Sequence, residues 1–179
     1  MERGHQERLA PMAAEVMAQA GLTFADLGRI AVTIGPGSFT GLRVGLAFAK
    51  GLHLASGAPL AGIGTLAALA ASGKAGGVLA GVIDARRGLV YVQAFADGAP
   101  LGEPEAVPIE DAARQLDSGA IQLVGPGAAL LREALPNASI LKLPAPDIAA
   151  LGRLADVAAP EPDLRPLYLR AVDARPMAS

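Results

Sequence analysis

The sequence predicts an α/β fold built from two related halves, the first shorter than the second. Two observations carry this. Read for periodicity and turn signals, residues 1–76 follow the order αβαβα and residues 77–179 the order βββαβαβα, which agree if the first half lacks three leading strands. The same corner also closes a strand in each half, Ile34-Gly35-Pro36-Gly37 and Val124-Gly125-Pro126-Gly127, as an internal duplication would leave it. The boundary falls at Ser72-Gly73-Lys74-Ala75-Gly76-Gly77, the strongest loop signal in the chain.

The elements of the first half follow from local pattern. Leu9, Met12, Ala13, Val16 and Met17 recur at helical spacing while Gln6, Glu7, Glu15 and Gln19 fall on other faces, so an amphipathic helix ends at Gly21. Pro11 begins or bends it. Ile30-Ala31-Val32-Thr33-Ile34 is a buried strand with three β-branched residues in a row. Gly35-Pro36-Gly37 turns the chain, and Ser38 or Thr40 caps the helix that follows. In that helix Gly41, Gly45 and Ala49 recur every four residues. Glycine costs about 1 kcal/mol against alanine in a helix interior, and the usual return is close approach to a neighbouring element. Gly57-Ala58-Pro59 ends the helix, residues 59–63 form a short strand, and Thr65 caps a helix reaching Ala71.

In the second half, residues 78–85 and 89–95 are strands joined by the turn at Arg86-Arg87-Gly88. Asp97-Gly98 turns again before a weaker strand near 105–108 and a helix over 109–116. Residues 121–124 are a strand, followed by Gly125-Pro126-Gly127 and a helix to Leu135; residues 140–143 are a strand, and Asp147 caps a last helix to about Val157. A proline-containing tail closes the chain.

Composition excludes several classes of function. Hydrophobic residues make up 52% and charged residues 18% of the 179, a globular rather than disordered balance. Aromatics are only 3%, so small aliphatic residues fill the core. With 15 basic and 17 acidic residues the net charge is −2, and no basic stripe stands out, so no direct tRNA or other nucleic-acid site is evident. The absence of cysteine excludes disulfides and thiolate metal sites. Arg43, Lys50 and His53 interrupt the most apolar helix, so no stretch reads as membrane-spanning, and the expected location is cytoplasmic.

Familiar catalytic motifs fail on their residues. Gly35-Pro36-Gly37 continues into neither a phosphate-binding P-loop nor a dinucleotide fingerprint. Ser38 and Thr40 lack the nearby base that a nucleophile needs, which leaves them as helix caps. Asp84 beside Arg86 and Arg87 reads as a hairpin turn with a local ion pair, worth about 0–1 kcal/mol if exposed. Gly125-Pro126-Gly127 reads as a structural turn. Arg165, Arg170 and Arg175 are offset along the tail by Glu161, Asp163 and Asp173, the pattern of a solvated segment.

One stretch is specific enough to suggest a family. Gly35-Pro36-Gly37-Ser38-Phe39-Thr40-Gly41-Leu42-Arg43-Val44-Gly45, with Ala49-Lys50-Gly51-Leu52 after it, resembles the signature of the TsaB (YeaZ-like) family, the partner subunit of the bacterial machinery for threonylcarbamoyladenosine in tRNA. Residues 3–12 are similar to that family's first helix, residues 83–91 to a second block, and Pro166-Leu167-Tyr168-Leu169-Arg170 to its tail. The resemblance implies an actin/Hsp70/sugar-kinase-like duplicated fold. It also implies a first half without its leading β-strands, since no Ala-Ile-Asp-Thr-Ser-like hairpin precedes Met1. The related catalytic subunit carries a His-x-x-x-His metal pair where this chain has Gly64-Thr65-Leu66-Ala67-Ala68-Leu69.

The resemblance therefore implies a non-catalytic assembly subunit, once grouped with glycoprotease-like peptidases, with no catalytic, cofactor or metal site of its own. ATP and metal are expected on its partners, a TsaD-like transferase subunit and a TsaE-like ATPase. The helices carrying His5, Leu9, Met12, Val16, Gly41, Leu42, Gly45, Leu46 and Ala49 would meet the transferase subunit or a second copy of the chain. Two rival readings are a sugar or acyl-phosphate kinase of the same superfamily, revealed by nucleotide binding, and a peptidase dependent on Ser38 or Thr40.

Overall fold

The computed structural model describes residues 5–73, 76–117 and 119–170. Helix α1 (His5–Gln19) leads through a 3-10 turn at Phe24–Asp26 to strand β1 (Ile30–Gly35), helix α2 (Phe39–Ser56), strand β2 (Leu60–Gly64) and helix α3 (Thr65–Ala71). β1 and β2 pair in parallel as a two-stranded sheet. Ser38 caps α2 through its hydroxyl, which accepts from the Gly41 N–H at 3.2 Å, and Gly57 ends the helix in the left-handed conformation.

The second half is a six-stranded mixed sheet. β3 (Val78–Arg86) pairs antiparallel with β4 (Leu89–Ala96), and β4 pairs with the two-residue β5 (Ala99–Pro100) and with β6 (Glu105–Pro108). Helix α4 (Ile109–Leu116) then crosses to β7 (Ile121–Val124), which lies parallel to both β3 and β8 (Ser139–Leu141). Helix α5 (Ile148–Val157) is capped by Asp147, whose carboxylate accepts from the Ala150 N–H at 2.9 Å.

The two corner glycines match. Gly35 sits at φ +124 and Gly125 at φ +126, and a Cβ on either would come within 2.5 Å of a backbone carbonyl oxygen. At Gly125 that oxygen belongs to Val82 of β3; at Gly35 it belongs to Leu167 of the tail. Only glycine tolerates both the positive φ and the contact.

Helix α3 lies between the sheets. Its Leu69 and Ala70 pack with Leu79, Phe95 and Val124, while its Ala68 packs with Ala61, Ile63 and Ala155. Gly81 lets α3 approach β3 closely, because a Cβ there would stand 2.4 Å from the Leu66 carbonyl oxygen.

Several local expectations are corrected. Gly64, not Thr65, stands at the N-cap of α3, and the Thr65 hydroxyl is buried with no hydrogen-bond partner among the described residues. The segment after Gly127 is a 3-10 helix over Ala128–Leu131 followed by turns, not a helix to Leu135.

The tail, expected to be solvated, is instead packed. The Glu161 N–H donates to the Leu60 carbonyl at 2.9 Å and the Leu167 N–H to the Ile34 carbonyl at 2.7 Å. Between them Leu164 is only 2% exposed, packed with Ile30, Leu46, Ala49, Ala58 and Leu60 of the first half. Arg29 adds a second tie, its guanidinium donating to the carbonyls of Ala155 and Ala158 at the end of α5. The expected break between 1–76 and 77–179 separates the two sheets, but the chain from α5 onward returns to the first one. Arg175 and Asp173 lie outside the described residues.

Candidate functional site

The described side chains offer little chemistry and one uncovered apolar face. The pattern of α1 is honoured only on one flank: Leu9, Ala13 and Met17 are half-buried, while Met12 stays 51% and Val16 61% exposed. α1 rests against α2 without covering them. The His5 side chain lies outside the described residues.

The expected contribution of α2 is corrected. Leu42, Leu46 and Ala49 are buried within this chain, and the last two pack with Ile30, Leu60 and Leu164. Gly45 also faces inward, since a Cβ on it would lie 3.7 Å from Val32 Cγ2 of β1. The spacing 42, 46, 49 is a helical stripe, and the sheet has taken it. Gly41 has a different reason for being small: a Cβ there would stand 2.5 Å from the capping oxygen of Ser38. The outer face of α2 is left with Arg43, Ala47, Gly51 and Leu54, the last 84% exposed.

The Gly-Pro-Gly corner is structural. Gly35 and Pro36 are buried and Gly37 is exposed; Ser38 is the cap, whereas Thr40 is exposed two residues further on. His53, on the same helix, bonds the Ala58 carbonyl through Nδ1 at 2.8 Å. It lies about 22 Å along the axis from Ser38 at 1.5 Å per residue, too far to act as its base.

Asp84 closes its own turn. One carboxylate oxygen accepts from the Arg86 N–H at 2.7 Å, and the other pairs with the Arg86 guanidinium at 3.2 Å. Gly125-Pro126-Gly127 serves close packing, a Cβ on Gly127 standing 2.7 Å from the Asp84 nitrogen. No group of three or more His, Cys, Asp and Glu side chains converges among the described residues.

One cluster had no sequence signal. Phe39, at the start of α2, stacks on Tyr168 of the tail with ring centroids 5.3 Å apart. The Arg43 guanidinium sits 3.8 Å above the Phe39 ring, and its Nε donates to the Tyr168 hydroxyl at 3.1 Å. These residues stand 125 positions apart, and neither local pattern points to the other. Further along the tail, Arg165 hydrogen-bonds to Asp163 and holds that exposed carboxylate below its usual range, with Lys50 adding a weaker pull from 3.6 Å.

Fold and surface define a class: a duplicated actin-like α/β protein whose first helix keeps an apolar face in solvent. Comparison with known proteins agrees. The sequence model of the family described as "TsaD: tRNA N6-adenosine threonylcarbamoyltransferase" matches residues 1–151. An uncharacterized protein of Mycobacterium tuberculosis is 38% identical over 177 residues, spanning 98% of this chain and 80% of the relative. The tRNA threonylcarbamoyladenosine biosynthesis protein TsaB of Escherichia coli is 41% identical over 93 residues, 50% of this chain and 40% of that protein. The solved structure titled "YeaZ from Pseudomonas aeruginosa" superposes with a TM-score of 0.77 at 25% identity, covering 94% of this chain and 86% of that one. The chain belongs to the TsaB/YeaZ family of threonylcarbamoyladenosine biosynthesis. No helix among the described residues is long and apolar enough to cross a membrane.

Proposed function

We propose that this chain is a non-catalytic assembly subunit for threonylcarbamoyladenosine modification of tRNA. It pairs with a TsaD-like catalytic transferase subunit through the outer face of α1 and the exposed rim of α2, and it recruits a TsaE-like ATPase to the same complex. Nucleotide and metal reside on those partners, and the assembly works in the cytoplasm.

The single observation that carries the reading is the half-exposed apolar stripe of Met12 and Val16 on a helix whose other flank is already packed. Burying the remainder of two such side chains is worth about 1–2 kcal/mol each, enough for a pair of anchors at the centre of a specific contact. Supporting it, Ser38 is engaged as a helix cap, Asp84 by its own turn and His53 by the Ala58 carbonyl.

The test is co-purification of the tagged chain with the transferase subunit, for the parent, Met12→Glu and Val16→Glu. Both variants should melt like the parent, because neither side chain is buried, and both should lose the partner. Self-association lost in the variants while transferase binding persists would assign the face to a homodimer instead. Full transferase binding by both folded variants removes the face from consideration.

A further inference from the structure

The tail runs along one flank of α2. Asp163 meets Lys50 at 3.6 Å, and Tyr168 meets Phe39 and Arg43, about 10 Å nearer the start of the helix at 1.5 Å per residue. Two anchors hold that course. Leu164 is packed with Leu46 and Ala49 of α2, and the Leu167 N–H bonds the Ile34 carbonyl of β1. Tyr168 is thereby delivered to the edge of the face on which α2 leaves Arg43, Ala47, Gly51 and Leu54 exposed.

Arg43 is fixed there in one pose. Its guanidinium carbon lies 3.8 Å over the Phe39 ring, and its Nε donates to the Tyr168 hydroxyl at 3.1 Å. With one face on a ring and the Nε–H engaged, the paired Nη groups are the edge left to an acceptor. Among the described residues no carboxylate pairs with Arg43. A free arginine gives up rotamer freedom when it is captured; one already held by a ring and a hydroxyl gives up less.

We propose that Arg43 anchors the transferase subunit, its Nη edge receiving a carboxylate that a helix of that subunit carries beside an apolar stripe. A single guanidinium set among Ala47, Gly51 and Leu54 suits one forked carboxylate and an apolar helix face, whereas a nucleic-acid backbone asks for a row of cations. A Cβ on Gly51 would meet nothing within 4 Å, so a helix can lie close along this part of α2. Tyr168 is a positioning residue: it holds Arg43 rather than the incoming carboxylate. The choice of partner rests on the function proposed above.

The experiment is calorimetric titration of the full chain with the purified transferase subunit at about 50 and about 300 mM salt. Arg43→Gln should weaken binding about 30-fold at the lower salt and lose most of the parent's salt dependence. Arg43→Lys keeps the charge without the fork and should weaken it about tenfold. Tyr168→Phe keeps the ring on Phe39 and removes only the hydroxyl. It should cost about threefold in the parent and nothing further in Arg43→Gln, whereas a residue that only stabilised the fold would weaken both backgrounds alike. Arg114→Gln, on α4 and paired to Asp111, should bind like the parent. All variants should melt near the parent, because Arg43 and Tyr168 both reach solvent.

Parental binding by folded Arg43→Gln overturns the proposal and leaves the proposed function standing if Met12→Glu still releases the partner. If Arg43→Gln melts early, parental binding by Arg43→Lys overturns it in the same way. Equal losses from Tyr168→Phe in both backgrounds overturn the positioning role. An Arg43→Gln variant that loses only self-association assigns the anchor to a second copy and overturns the proposal too. A parent that does not bind the transferase subunit overturns both this inference and the function on which it rests.

Discussion

Truncating Leu164 to alanine separates a packed tail from a solvated one. In a solvated tail the substitution would cost within about 0.5 kcal/mol, as for most surface changes. In the structure Leu164 is 2% exposed and fills the space above Gly62, where a Cβ would come within 2.4 Å of its Cδ2. Leu164→Ala removes three buried carbons at about 0.8 kcal/mol each, and the residual cavity raises the total to about 3 kcal/mol. For a chain of this size that lowers Tm by about 6–12 °C.

A partner substitution sharpens the test. Gly62→Ala alone pushes a methyl against Leu164 and against Ile34 Cγ2, 2.9 Å from the ideal Cβ position, and should cost about 1–3 kcal/mol. Combined with Leu164→Ala the leucine clash disappears. The double variant should then be more stable than the sum of the singles by about 1 kcal/mol or more. Urea and thermal melts of the four proteins, with the 84%-exposed Leu54→Ala as a surface control, read the whole cycle. A Leu164→Ala variant indistinguishable from Leu54→Ala, or strict additivity with Gly62→Ala, would refute the packing argument.

Other outcomes follow from single groups. Thr65→Val removes a buried hydroxyl without a partner while keeping the side-chain shape, and should stabilise by about 1 kcal/mol; a loss in a denaturant melt would show that the hydroxyl is satisfied in solution. The Asp26 carboxyl is held below its ordinary pKa first by the Thr23 hydroxyl at 2.7 Å and then by the Thr23 N–H at 2.8 Å. Its folded pKa is lowered, so its stabilising contribution is present above the unfolded carboxylate pKa and lost as pH falls through the folded one. An NMR titration should place Asp26 below a free aspartate, and Thr23→Val should move it part of the way back; an unmoved midpoint would rule the hydroxyl out as the cause.

Much of the fold was legible because its signals are local. The α1 stripe, the β-branched run of β1, the Gly57 stop and the Asp147 cap each announce an element within a few residues; the order of elements matches the expected one in the first half, while the second adds the two-residue β5 and holds a 3-10 helix where an α-helix was expected. The paired Gly-Pro-Gly corners were visible as a repeat, though not the carbonyl oxygens that make Gly35 and Gly125 necessary. The site was less legible. A helical stripe says that residues are apolar on one face without saying what covers that face, so Leu42, Leu46 and Ala49 read as partner-facing when β1, β2 and Leu164 already enclose them.

The sequence by itself determined the α/β class, the two halves, the Gly57 stop and the Asp147 cap, and the family, because periodicity, turn chemistry and a long specific motif are properties of neighbouring residues. Tertiary structure decided where the tail goes, which flank of α1 stays in solvent, and how charges sort. Glu161, Asp163, Arg165 and Arg170 sum to zero along the chain, yet Asp163 ends beside Lys50 and Arg170 beside Ala85. Charges interact through distance in space, and two hydrogen bonds from the tail to β1 and β2 set those distances.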